Sequence, residues 1–239
     1  MMLSQNLEYS DASGTYEGTV VYPSGSGGPW PVVLVAPTIR GRTDFEKEKA
    51  RALAAMGYIG FAIDVYGKDK QRLPPEEARA QMDALNADRG QLSSRLKLAL
   101  SQAGKLRDAD RSRMAAIGYC FGGKCVLDLA RSGADLSAVV SFHGVLDAPG
   151  LHNDTPVKSK VLVLHGWDDP LAPPHAVVSL AEELSRKGAR WELDAYGHTG
   201  HAFTNPQADL PEKGLLYSKD ADRTSWRRMA DFLAEVLKH

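Results

Sequence analysis

Short apolar runs rich in β-branched residues recur along this chain, at residues 32–36, 58–65, 114–119, 138–142, 161–165 and 191–196, with longer amphipathic stretches between them. Unbroken apolar runs of this length suit strands buried on both faces, and parallel neighbours need a long crossover, usually a helix. The alternation predicts an α/β fold with a mostly parallel central sheet and helices on both faces. Residues 15–22 read as an early antiparallel strand, and the Ser/Gly/Pro-rich stretch 23–31 as a loop rather than an interdomain linker.

The stretches between the runs carry helix signals. Over residues 45–56, Ala50, Leu53, Ala54 and Met56 keep a helical spacing that stops at Gly57. Near the end, Trp226, Met229, Ala230, Leu233 and Leu237 form a stripe with Arg227, Arg228, Asp231 and Glu235 mostly off it. Pro74-Pro75 followed by Glu76 and Glu77 marks a helix start. The helical stretch from there to residue 105 is long for one crossover, so a break at Gly90 into two helices is expected. At 239 residues without an internal repeat, a single α/β domain over residues 1–239 is expected.

Charge narrows the partners. With 29 Lys and Arg against 30 Asp and Glu, the net charge of -1 gives no positive field for nucleic acid. Residues 1–10 lack a basic start followed by an apolar stretch, and no run approaches the ~18 apolar residues of a spanning helix. A cytoplasmic protein with no membrane partner, monomer or homodimer, is the expectation. The two cysteines, Cys120 and Cys125, frame no disulfide scaffold. On a helix their five-residue spacing turns the side chains ~140° apart.

Cys120 has a specific setting. Gly118-Tyr119-Cys120-Phe121-Gly122-Gly123 follows an apolar strand directly and precedes a helical stretch. Glycines two positions either side of a central residue permit the tight strand-to-helix turn of a nucleophile elbow. The amides of the following helix should favour a thiolate, and the Phe121 N–H should serve as an oxyanion donor. Cys125 lacks this setting and reads as a small core residue.

A nucleophile of this kind is followed in the chain by an acid and then a histidine. Residues 165–173, His-Gly-Trp-Asp-Asp-Pro-Leu-Ala-Pro, and 197–203, Gly-His-Thr-Gly-His-Ala-Phe, each follow a predicted strand. Loops at that strand edge are where open α/β sheets bind ligands. Spacing alone leaves open Asp168 or Asp169, and His198 or His201. A metal reading of His198 and His201 with an Asp lacks a third clear ligand, so no metal and no cofactor are expected. His143 and His165 also close strands near this edge and read as structural side chains bonded to backbone.

At these residues the chain resembles the dienelactone hydrolase family, a cysteine-nucleophile branch of the α/β-hydrolases. Gly118, Cys120, Gly122 and Gly123 match its GxCxGG elbow. Gly166, Asp169 and Pro173 match a GxxDxxxP-like turn, and His201-Ala202-Phe203 its histidine motif. The tail, with Thr204-Asn205-Pro206 and Ala221-Asp222-Arg223, is similar to that of many members. The resemblance implies an α/β-hydrolase fold, a Cys120–His201–Asp169 triad, and a second oxyanion donor in the Ile39 N–H. It implies a hydrolase of a small ester or lactone; the alternative is a non-catalytic ligand-binding relative that has kept the fold. Candidate substrate contacts are Thr38, Arg40, Trp167 and Phe203, and Arg42 is a further loop cation. Thr38 stands where dienelactone hydrolases proper carry a glutamate, and Asn205 where they carry an arginine, which argues against dienelactone itself as substrate.

Overall fold

The structure, a computed structural model, describes residues 2–25, 27–151 and 154–237. Met1, where the amino-terminal reading begins, and Ser26 of the predicted loop 23–31 lie outside them. The chain forms two compact units, Met1–Ile117 and Gly118–His239.

The first unit opens with strands β1 (Leu3–Asp11) and β2 (Gly14–Tyr22), paired antiparallel from Leu3↔Tyr22 to Asp11↔Gly14. Asp11 closes the two-residue turn by accepting from the N–H and the hydroxyl of Ser13, both at 2.7 Å. Next come β3 (Trp30–Ala36), α1 (Asp44–Ala55), β4 (Ile59–Ala62), α2 (Pro75–Ala87), α3 (Arg89–Ala103) and β5 (Ala109–Tyr119), whose last two residues enter the second unit. β3 and β4 pair in parallel, and β2 lies antiparallel on the other side of β4. Six of the seven residues of β3 are buried, as its apolar run demands. α1 begins at a capping box, Thr43 and Glu46 bonding each other's backbone N–H, and ends before Gly57 as expected.

Two helices do fill the stretch between β4 and β5, but the break falls at Asp88 rather than Gly90. Asp88 ends α2 and its Oδ1 accepts the Gln91 N–H at 2.8 Å, capping α3, so Gly90 lies inside the first turn of α3. An acceptor side chain stops and restarts a helix more effectively than a glycine that the first turn tolerates.

The second unit continues from the end of β5 through α4 (Phe121–Arg131), β6 (Ala138–Phe142), β7 (Lys160–Gly166), α5 (Pro174–Arg186), β8 (Arg190–Tyr196), a small antiparallel hairpin β9 (Asp209–Leu210) and β10 (Leu215–Leu216), and α6 (Lys219–Leu237). β6, β7 and β8 are parallel in that order. On α6 the buried positions include Ser225, Met229, Phe232, Leu233 and Leu237, while Trp226 and Ala230 are only half-buried, so the stripe is rotated from the predicted one. Among the described residues no helix is long and apolar enough to cross a membrane.

All of α4 is buried, including its charged residues. Arg131 resolves the cost of that burial: it pairs with Glu183 of α5 at 2.8 Å and Asp128 at 3.3 Å, and donates to the carbonyls of Leu146 and Asp147. One guanidinium thereby fixes α4, α5 and the loop after β6. Replacing it strands two acidic groups with little solvent. Arg131→Met is expected to lower stability by about 3 kcal/mol, read from urea unfolding midpoints at neutral pH.

Candidate active site

Cys120 sits between β5 and α4 with φ 56° and ψ -116°, a left-handed conformation that a non-glycine residue holds only when its surroundings enforce it. Three features enforce it. The Cys120 N–H donates to the Phe142 carbonyl at the end of β6 (3.1 Å), and the Cys120 carbonyl accepts from the Lys124 N–H (3.3 Å). A Cβ on Gly118 would stand 2.0 Å from the Gly122 carbonyl oxygen, so only glycine allows this approach of strand end to helix start. The Tyr119 and Phe142 rings stack at 4.4 Å between centroids beneath the turn. Cys120 is partly exposed, Cys125 is buried, and both are free thiols.

The structure separates the alternatives that spacing leaves open. His201 and Asp169 are 2 % and 1 % exposed, and the His201 Nδ1–H donates to Asp169 Oδ2 at 2.7 Å. The other carboxylate oxygen accepts the Leu171 N–H at 2.8 Å. Asp168 and His198 are solvent-exposed and 3.9 Å apart, a loose surface pair. With His198 outside and His201 inside, the two do not converge on one ion, and the described residues hold no cluster of three or more potential metal ligands. Burial pulls the His201 imidazole down, but its hydrogen bond to Asp169 and the influence of Cys120 outweigh it and push it up to about 10. His201 Nε2, the atom turned from Asp169, is buried and makes no hydrogen bond of ordinary geometry among the described residues.

Behind this pair lies a layer that pattern reading only partly identified. The His143 ring meets His201 edge-on at 5.1 Å, and its Nε2 is 2.7 Å from the Thr204 hydroxyl, a side-chain partner where a backbone one was expected. Phe203, expected to touch substrate, is completely buried, edge to face with His143 and Tyr196, so it supports the histidines instead. His165 is also completely buried, and neither ring nitrogen has a partner among the described residues, which overturns the expected backbone bond. Burial holds His165 below the ordinary imidazole range, with Asp169 pulling the other way, so it stays neutral. Trp167 is 44 % exposed, with its ring near His165, and remains accessible to a ligand. Asn205 is exposed and its side chain accepts the Gln207 N–H at 3.0 Å within a turn.

In the first unit, residues 38–41 form a tight turn in which the Gly41 N–H donates to the Thr38 carbonyl at 3.0 Å. Peptide planarity then directs the Ile39 N–H opposite to that carbonyl, out of the turn. Buried Glu46 steadies the turn by accepting the Thr38 N–H at 3.0 Å and the Thr43 N–H at 2.7 Å, and the Tyr66 hydroxyl donates to the Ile39 carbonyl at 3.0 Å. The Thr43-x-x-Glu46 capping signature was available to find Glu46; nothing local marks Tyr66. Arg40 is exposed and donates to the Leu73 carbonyl at 3.2 Å. Arg42 is neither solvated nor free for an anion: it is 6 % exposed and bonded to Glu17 (2.7 Å) and Thr19 (2.6 Å).

Comparison with known proteins gives the fold and the family. The crystal structure of a protein from Klebsiella pneumoniae, described as a "Putative Dienelactone Hydrolase", superposes with a TM-score of 0.76 at 21 % identity over 98 % of this chain and 99 % of its own, which shows an α/β-hydrolase fold. The family model of the dienelactone hydrolase family matches residues 16–237, and the chain belongs to that family. A dienelactone hydrolase-like promiscuous phosphotriesterase from metagenomic libraries is 34 % identical, with a TM-score of 0.91 and 98 % of each chain covered. A protein of Methylorubrum extorquens named "Putative carboxymethylenebutenolidase" is 26 % identical over 97 % of this chain and 85 % of its own length.

Since the folded-state value of His201 lies above the usual 6.5, its protonation stabilises the fold fully below that pH, and the contribution is lost as pH rises towards 10. Urea midpoints of the wild type should therefore fall between about pH 7 and pH 10, and Asp169→Asn should flatten that fall. Imidazole NMR should also place the His201 titration well above neutrality, and lower it in Cys120→Ala.

Proposed function

We propose that this chain hydrolyses small esters or lactones through an acyl-enzyme on Cys120, with His201 as proton carrier and Asp169 as its orienting partner. The observation that carries the reading is the buried 2.7 Å His201–Asp169 bond, which leaves Nε2 as the working nitrogen of an imidazole influenced by Cys120. The positive φ of Cys120 supports it, since strain of this kind collects at functional turns.

The Cys120 thiol gives its proton to His201 Nε2 as the sulfur attacks the carbonyl carbon, and the carbonyl electron pair moves to oxygen, where the Phe121 N–H at the start of α4 stabilises it. The Ile39 N–H is the second donor by family likeness. Collapse expels the alkoxide, which takes the proton from His201 Nε2 and leaves a thioester. Water then attacks the thioester and gives its proton to Nε2, and the tetrahedral species collapses to release the acid and restore the thiol. Asp169 holds the Nδ1–H tautomer through its bond to the ring. Trp167 and Arg40 are accessible substrate contacts, and Thr38, held by Glu46, shapes the turn beside Ile39. The substrate is a small neutral or anionic acyl compound, and two free thiols fit a reducing cytoplasmic setting.

The name of the Methylorubrum relative, a butenolidase, agrees with a lactone among the substrates. The phosphotriesterase at 34 % identity favours a second substrate class, a phosphotriester attacked at phosphorus by the same sulfur.

Cys120→Ala is expected to lose p-nitrophenyl acetate hydrolysis by about 1,000-fold or more, and Asp169→Asn to retain the fold with a similarly large loss. A panel of lactones, short acyl esters and one phosphotriester, each with the Cys120→Ala control, identifies the class. Full activity of Cys120→Ala would sink the mechanism. Alkylation of Cys120 by iodoacetamide at the rate of an ordinary thiol, without turnover of any ester, would favour a ligand-binding role.

A further inference from the structure

The β9–β10 hairpin belongs to no motif in the sequence, yet it is bonded to the backbone of His201 itself. The Gly214 carbonyl accepts the His201 N–H at 2.7 Å, and the His201 carbonyl accepts the Leu216 N–H at 3.2 Å, so the turn end and β10 of the hairpin together use both backbone groups of the histidine. The opposite side of the histidine loop is held as closely, because the Thr199 carbonyl accepts the Asp168 N–H at 3.0 Å. A Cβ on Gly166 would stand 2.5 Å from the carbonyl oxygens of Thr199 and Gly200. A Cβ on Gly200 would stand 2.3 Å from the Gly214 oxygen, and one on Gly214 would be 2.7 Å from Pro170, next to Asp169. Three segments, one bearing Asp169, one bearing His201 and the hairpin, are therefore stacked closely, backbone on backbone except where the Pro170 ring meets Gly214.

This hairpin does little for the core. Leu210 and Leu216 are each 44 % exposed, and a short two-stranded hairpin is marginal without tertiary tethers. What its bonds do constrain is the position from which the His201 side chain reaches Asp169. We infer that the β9–β10 hairpin is a clamp that sets the backbone of His201, with Gly200, Gly214 and the Leu216 N–H as positioning residues for the base. The inference rests on the hydrolase reading for the role of His201; the clamp itself is geometric. Misplacing a catalytic group by ~1 Å can cost on the order of 100-fold in rate.

The test uses Gly200→Ala, which drives a methyl group towards the Gly214 carbonyl, and Leu216→Pro, which deletes one donor at a half-exposed position. Gly200→Ala should lower kcat for p-nitrophenyl acetate by about 10- to 100-fold with KM changed less than about 3-fold. Leu216→Pro should lower kcat by about 5-fold. In both, the downfield Nδ1–H proton resonance of His201 should shift or broaden. Leu210→Ala, which trims the hairpin without touching a bond to His201, should leave both kcat and the resonance at wild-type values. A wild-type kcat and an unmoved resonance in Gly200→Ala would overturn the clamp, as would a Leu210→Ala defect equal to that of Leu216→Pro. If Gly200→Ala fails to fold, Leu216→Pro against Leu210→Ala decides the matter. Failure of the hydrolase reading looks different: the wild type would lack turnover, while the resonance, which needs no substrate, would still report on the clamp.

Discussion

The buried bond between His201 and Asp169 is the interaction that the second unit is built around. A carboxylate with 1 % exposure is tolerable only when its charge and lone pairs are met, and here one oxygen takes an imidazole N–H and the other a backbone N–H. Those partners come from the loops after β7 and β8. Parallel neighbours deliver their carboxyl ends to the same edge, so strand pairing and charge satisfaction select the same geometry.

Around that bond the structure concentrates its unusual conformations. Cys120, His143, His198 and Ala202 all have positive φ, and three of the four lie in or against the buried cluster. Such positions hold only when neighbours over-determine them. The fully buried α4 with its Arg131 ion pairs does so for the cysteine, and the layer of His143, Phe203 and Thr204 packs behind the His201 ring. His165 is the exception in this layer: a buried imidazole with no hydrogen bond among the described residues, kept neutral by burial beside a carboxylate already committed to His201.

Legibility in the sequence followed how local each signal is. Cys120 could be read because an elbow needs glycines at fixed offsets, and Gly118 shows why in the 2.0 Å approach that a side chain would block. α1 could be read from its apolar spacing and from Gly57. Strand β1 could not, because its nine residues bury only Tyr9 and carry no apolar run. The break between α2 and α3 falls two residues before the predicted one, since the capping Asp88 precedes the helix-breaking Gly90 by two positions. Arg42 reads as a solvated loop cation and Phe203 as a substrate contact from their positions in loops, and the fold turns both inward.

By itself the sequence determined the α/β class, the alternation of the central strands and helices, and the tight turn at Cys120, because each rests on periodicity or on a spacing of a few residues. Which acid and which histidine pair near that turn is another matter. Asp168 and Asp169 are adjacent in the chain, and His198 and His201 are three apart, so within the sequence each pair stands in nearly the same context. Only the tertiary structure buries one member and exposes the other, and it does so through contacts between segments far apart in sequence: β7 against β8, and the hairpin against the backbone of His201. Desolvation and charge pairing depend on those contacts, and no local pattern encodes them.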